Sequence, residues 1–169
     1  DILRVPASLP TARALRYTVA RGLSGLAWST GLPGTIGGAA AGNAGCWGGD
    51  MHGCTADIDV VDAAGRTHRI EAADLLWTYR NLAFAGLPAP WTIISVGVRV
   101  EQGDASQLRA HYEELQQRKR EQQPVGARNS GCIFRNPPDG GSAGKLIDAA
   151  GCKGLRVGGA VVSDRHANF

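Results

Sequence analysis

The stretch GLPGTIGGAAAGNAG, residues 31–45, decides how the rest of the chain is read. Fifteen residues pass without a charge, and six of them are glycine. Glycine accepts positive φ and lets a backbone lie flush against a flat or bulky neighbour. The stretch reads as an irregular loop with two possible purposes: a wall for a large ligand, or a tight turn where a helix packs on a sheet. Its glycines at 34, 37 and 38 lack the GxGxxG dinucleotide spacing, and no lysine follows as in a P-loop.

The flanking sequence mixes helical and strand patterns. Ser8-Leu9-Pro10 reads as a helix start, with Leu15, Val19 and Ala20 at helical spacing and Gly22 as the stop. A hairpin is expected around Ala64-Gly65, with Ile58, Val60 and Val61 before it and residues 67–70 after it. Residues 72–77 read as a short helix that delivers Tyr79-Arg80 to a loop. Ile94, Val96, Val98 and Val100 alternate as one face of a strand. Asp104 caps the longest helix, with Gln107 in the capping-box position. After it come an irregular stretch over 125–141, a helix capped by Ser142 and stopped by Gly151, and an apolar strand over 155–162. There is no regular βαβ alternation, so the expected class is α+β.

Composition bounds the function. The chain has 169 residues, 43% hydrophobic and 20% charged, with a net charge of +3. That is an ordinary globular mixture. No apolar run approaches the ~20 residues that span a membrane. Cys46, Cys54, Cys132 and Cys152 show no CxxC or zinc spacing, so neither a metal site nor a disulfide framework is expected, and the reading is a reduced, cytoplasmic protein. A monomer is expected, though no residue pattern reports the oligomeric state. The basic run 118–120, with Arg128 and Arg135 beyond it, lacks interleaved aromatics and reads as a solvated helix end rather than a nucleic-acid surface. Two segments carry candidate chemistry. Arg80 offers a guanidinium suited to a carboxylate. Residues 129–137, NSGCIFRNP, bring a thiol, a guanidinium and an amide together.

Nine motifs in order carry a resemblance: GLSGL (22–26), GLPGTIGGA (31–39), NAG (43–45), YR (79–80), QP (123–124), GCIFRNPP (131–138), SAGKLID (142–148), GCKGLRVGGAVVS (151–163) and HANF (166–169). The chain resembles the UDP-N-acetylenolpyruvoylglucosamine reductase family, and the likeness covers nearly its whole length. The resemblance implies a second FAD-binding lobe over 1–103, joined to an incomplete substrate-binding domain over 104–169. It implies FAD and NADPH as cofactors and a UDP-sugar as the small-molecule partner. It assigns Pro33, Gly37, Gly38, Ala41 and Gly45 to the cofactor, and Tyr79, Trp47, Arg135 and Asn136 to the substrate. Arg80 and Cys132 are the implied catalytic pair. Cys132 stands where serine is usual in the family, and a thiol is a far stronger acid than an alkanol. Asn43 reads as structural.

The family's GxGSN loop and the segment bearing its catalytic glutamate fall outside this sequence. The 169 residues alone are therefore expected to hold FAD weakly or not at all. Two other readings remain open: a silent nucleotide-sugar-binding fragment, and another flavin oxidase of related fold.

Overall fold

The computed structural model describes residues 1–138 and 141–169. Asp139 and Gly140, inside the irregular stretch expected over 125–141, lie outside the described residues. Two compact units are present, Asp1–Leu115 and Gln116–Phe169.

The first unit opens with strand β1 (Ile2–Pro6) and helix α1 (Thr11–Ala20). Ser8 does not cap α1. Pro10 holds the cap position without a side-chain hydrogen bond, and the Thr11 N–H donates to Gly34 C=O at 3.0 Å. Leu15 and Val19 are buried, whereas Ala20 faces solvent.

The bare stretch is not a loop throughout. Helix α2 (Ile36–Ala41) forms inside it. The Thr35 hydroxyl accepts from Gly38 N–H at 3.3 Å, and three alanines supply helix propensity against the glycines. Then come the two-residue strands β2 (Gly45–Cys46) and β3 (Gly49–Asp50), the single turn α3 (Met51–Cys54), β4 (Thr55–Asp62) and β5 (Thr67–Glu71).

The helix expected over 72–77 shrinks to a 3-10 turn, Ala72–Asp74. β6 (Leu75–Thr78) and β7 (Asn81–Phe84) follow as an antiparallel hairpin, with Tyr79 and Arg80 as its turn. Leu75, Leu82 and Phe84 bury its far end. That pairing satisfies the backbone of 75–78 better than a short helix could.

β8 (Trp91–Arg99) completes an all-antiparallel sheet in the order β1-β8-β4-β5. Val96, Val98 and Val100 are buried as expected, but Ile94 is exposed. The register jumps between Asp59↔Ser95 and Val60↔Ile93, so Ile94 is the extra residue of a bulge, and Ile93 turns toward the core instead.

Helices α1 and α2 lie over one face of this sheet and share its core of Val5, Leu15, Ile36, Ile58, Val96 and Val98. The opposite face is polar. Arg69 binds Asp59 through Nε and Nη2 at 2.7 and 3.1 Å, Ser95 Oγ donates to the same carboxylate, and Arg4 pairs with Asp57. Gly97 leaves room for Asp57, whose carboxylate lies 2.6 Å from where a Cβ would stand.

α4 (Ala105–Gln122) is capped as expected, with Asp104 Oδ1 accepting from Ser106 and Gln107 N–H. In the second unit, α5 (Ala143–Ala149) is capped by Ser142. The strand expected over 155–162 breaks at Gly158-Gly159 into β9 (Arg156–Val157) and β10 (Ala160–Val161), a short exposed hairpin. No helix among the described residues is long and apolar enough to cross a membrane.

The first unit yields two tests. An alanine Cβ at position 37 would stand 2.7 Å from Ala7 Cβ and 3.1 Å from its carbonyl oxygen. Gly37→Ala is expected to cost about 1–3 kcal/mol in urea unfolding; a neutral result would mean that α2 can slide. Separately, the Arg69 hydrogen bonds, reinforced by Ser95 and the charge of Arg4, hold the Asp59 pKa at about 2. This folded-state value lies below the unfolded one, so the stabilisation is complete above about pH 4 and is lost as pH falls toward 2. Asp59→Asn should therefore be less stable than the wild type at pH 7, with the gap closing in acid. A constant gap across that range would refute the linkage.

Candidate functional site

In the first unit the predicted residues sort by what surrounds them. Gly37 is buried against Ala7, its N–H donating to Ala7 C=O at 2.9 Å, so its missing side chain serves packing. Gly45 is exposed, yet a Cβ there would meet Asp50 and the Gly49 carbonyl at 3.1 Å, so it serves the β2–β3 pairing. Pro33, Gly38 and Ala41 are exposed. Gly38 and Ala41, one turn apart on α2, offer a face with nothing larger than a methyl group. An open cleft of about 650 Å³ starts at Ala41 and runs along Leu82, Phe84, Leu87 and Trp91. The Gly38–Ala41 face is exposed and carries no side chain beyond a methyl group, so a flat ring system can approach its backbone closely.

Trp47 sits at φ 50 and donates its indole N–H to Thr30 C=O at 3.0 Å, so its ring is held half-buried. Arg80 sits at φ 60 in the β6–β7 turn, with its guanidinium carbon 5.4 Å from the Tyr79 ring centroid. Both side chains of this turn are exposed. No carboxylate pairs with Arg80 among the described residues, so its charge is available to an anion.

In the second unit, Gly131, at φ 77, turns the chain into Cys132. The segment that follows is not a strand. It is held by Asn168, whose carboxamide accepts from Phe134 N–H at 2.9 Å and donates to Phe134 C=O at 2.8 Å. The Asn168 backbone carbonyl takes Ile133 N–H at 3.0 Å. Asn168 is 4% exposed and acts as an internal strand partner. Asn136 Oδ1 accepts from Ala143 N–H, fastening the other end of the segment to the start of α5. His166 supports the clamp through an edge-on contact with Phe169 and packs where Gly144 leaves room. Cys132 itself is exposed, as is Arg135.

Cys54 is the opposite case. Burial pushes its thiol up to about 11, which keeps it protonated and inert at neutral pH. No group of His, Cys, Asp or Glu among the described residues could hold a metal ion.

Sequence reasoning named the HANF motif but missed Asn168 as the clamp on the Cys132 segment. Its partner lies 34 residues away, beyond the reach of any local pattern.

Comparison with known proteins follows the same division. The family described as FAD binding domain matches residues 1–71, and that described as UDP-N-acetylenolpyruvoylglucosamine reductase, C-terminal domain, matches residues 123–169. A reductase of that name from Desulfosudis oleivorans is 43% identical over 99% of this chain and 55% of its own. One from Bradyrhizobium is 38% identical over 100% of this chain and 54% of its own. The crystal structure of the Thermus caldophilus enzyme, MurB, superposes with a TM-score of 0.85 at 32% identity, covering 99% of this chain and 60% of that one.

Fold and site thus define a FAD-binding α+β unit joined to a reductase-type C-terminal domain. More narrowly, the chain belongs to the UDP-N-acetylenolpyruvoylglucosamine reductase (MurB) family and spans about half the length of the curated relatives it matches.

The Asn168 clamp generates a direct test. Asn168→Ala removes the partners of the Phe134 N–H and C=O, two part-buried hydrogen bonds worth about 0.5–1.5 kcal/mol each. Amide exchange at Phe134 should accelerate well beyond that at Ala149, inside α5. Equal acceleration at both would show that the whole unit has loosened rather than the segment.

Proposed function

We propose that this chain serves the NADPH-driven reduction of UDP-N-acetylenolpyruvoylglucosamine to UDP-N-acetylmuramate, a step in peptidoglycan synthesis. The observation that carries the proposal is sequence likeness along 99% of the chain at 43% identity to the Desulfosudis oleivorans reductase; the choice of Arg80 and Cys132 rests on the YR and GCIFRNPP motifs of this sequence. FAD, when bound, supplies the hydride that reaches C3 of the enol ether. The Gly38–Ala41 face would hold its flat ring, with Pro33 and Gly45 at the margins, and NADPH would supply the reducing equivalents.

The chain's own residues do the rest. Arg80 meets the substrate carboxylate, where negative charge gathers as hydride arrives. A fixed cation aimed at developing charge lowers the barrier because it needs no reorganisation during the step. Tyr79, stacked beneath the guanidinium, keeps it extended from the turn. Cys132 gives its thiol proton to C2, and solvent returns one to the sulfur. Asn136 and Arg135, on the segment fixed by Asn168, orient the substrate beside the thiol, and Trp47 flanks it. Hydride to C3 and a proton to C2 complete a two-electron reduction balanced by NADPH oxidation.

The test uses the full-length protein with FAD, NADPH and the enolpyruvyl nucleotide-sugar, followed by NADPH absorbance. Arg80→Ala and Cys132→Ala should each lose roughly 100-fold or more in kcat with flavin retained. Cys132→Ser, which restores a hydroxyl donor, should keep part of the rate. Undiminished turnover in both alanine variants would defeat the assignment, and tight nucleotide-sugar binding without turnover in the wild type would favour a silent binding fragment.

A further inference from the structure

Asn43 performs two tasks that the catalytic reading does not use. Its backbone, at φ 37, terminates α2: Asn43 N–H donates to Ala40 C=O at 3.0 Å and Ala44 N–H to Ala39 C=O at 2.8 Å. This is a Schellman ending with asparagine in the left-handed position that glycine usually takes. Its side chain reaches two further elements. Oδ1 accepts from His52 N–H at 3.2 Å, on α3, and Nδ2 donates to Thr78 C=O at 3.3 Å, the last residue of β6. The next two residues are Tyr79 and Arg80.

The hairpin tip needs such a tie. β6 and β7 form a two-stranded sheet of their own, and a lone hairpin is marginal in water. Its buried anchors, Leu75, Leu82 and Phe84, leave Tyr79 and Arg80 at the exposed turn. Arg80 occupies the left-handed region without being glycine, a conformation that persists only where surrounding contacts enforce it. One further contact reaches the same strand: His52 stacks on Trp77 with centroids 5.8 Å apart.

We infer that the Asn43 carboxamide is a positioning residue for Arg80, locking the β6–β7 turn to the end of α2 so that the guanidinium is held in one place. The inference rests on the proposed role of Arg80 and deepens it. It also explains the residue type. Glycine satisfies the backbone but has no amide, and aspartate accepts from His52 but cannot donate to Thr78.

Asn43→Gly separates the two tasks, because it preserves the left-handed ending of α2 while deleting the clamp. In the full-length, FAD-loaded protein, its melting temperature should stay within a few degrees of wild type. Amide exchange over residues 79–82 should rise roughly tenfold as the turn opens locally. kcat/KM should fall about tenfold through loss of alignment, mainly in kcat. In an Arg80→Lys background the same change should cost almost nothing further, since there is no longer an aligned guanidinium to misplace. Asn43→Asp should behave like Asn43→Gly, since it too lacks the donor to Thr78.

Unchanged exchange over 79–82 would overturn the inference, and so would equal rate losses in the wild-type and Arg80→Lys backgrounds. If Arg80→Ala itself left turnover intact, the catalytic reading would fall instead, while the exchange measurement would still decide whether the clamp exists.

Discussion

The first unit depends on one close approach. α2 can settle onto the turn after β1 only because residue 37 has no side chain, and Gly37 N–H meets Ala7 C=O there. That contact drives Ile36 fully into the core beside Val5 and Val96. It also fixes the rotation of the helix, so that Gly38 and Ala41 look outward and the chain leaves α2 at Asn43. The outward face and the tie to the arginine-bearing hairpin are thus two results of a single packing decision. Gly49 repeats the device, its missing Cβ making room for Trp28 at 2.7 Å.

The second unit is held differently. Among its described residues the buried ones are Ala143, Ala167 and Asn168, while Phe134, Leu155 and Val157 stand exposed. Cohesion therefore comes from side-chain amides that substitute for backbone partners. Asn129 donates to Pro124 and Ala127 carbonyls and accepts from Gly131 N–H; Asn136 caps the entry to α5; Asn168 completes Phe134. Such bonds are directional, so they set the orientation of the 131–136 segment more than they resist unfolding by bulk burial.

The sequence made legible what local chemistry controls. Asp104 and Ser142 cap the helices they were expected to cap, and the 55–71 hairpin turns where Ala64-Gly65 said it would. Ordered motifs carried the family. What failed was decided by distant partners. Residues 72–77 read as a helix alone, but β7 offers residues 75–78 a strand to pair with. Ile94 has the right parity for the core, yet a bulge set by β4 turns it out. The glycine-rich stretch reads as a loop because glycine accepts positive φ; the Thr35 cap and the burial of Ile36 nevertheless form α2 within it, against glycine's low helix propensity. At the candidate site, residue types pointed to Arg80 and Cys132, but nothing local revealed that Asn43 and Asn168 would be the groups holding their segments.

The order of strands in the sheet has a consequence for biosynthesis. β1 precedes the other strands of this sheet in the chain, yet among the described residues it pairs with β8 alone, so that Ile2 must wait for Arg99. β4 and β5 can zip together early as a local hairpin, but the second edge of β4 stays unpaired until β8 emerges to link it to β1. At translation rates of about 5–20 residues per second, the wait from Ile2 to Arg99 lasts roughly 5–20 s. During it the nascent β1 has an open hydrogen-bonding edge, and its company is whatever the ribosome exit and the chaperones provide.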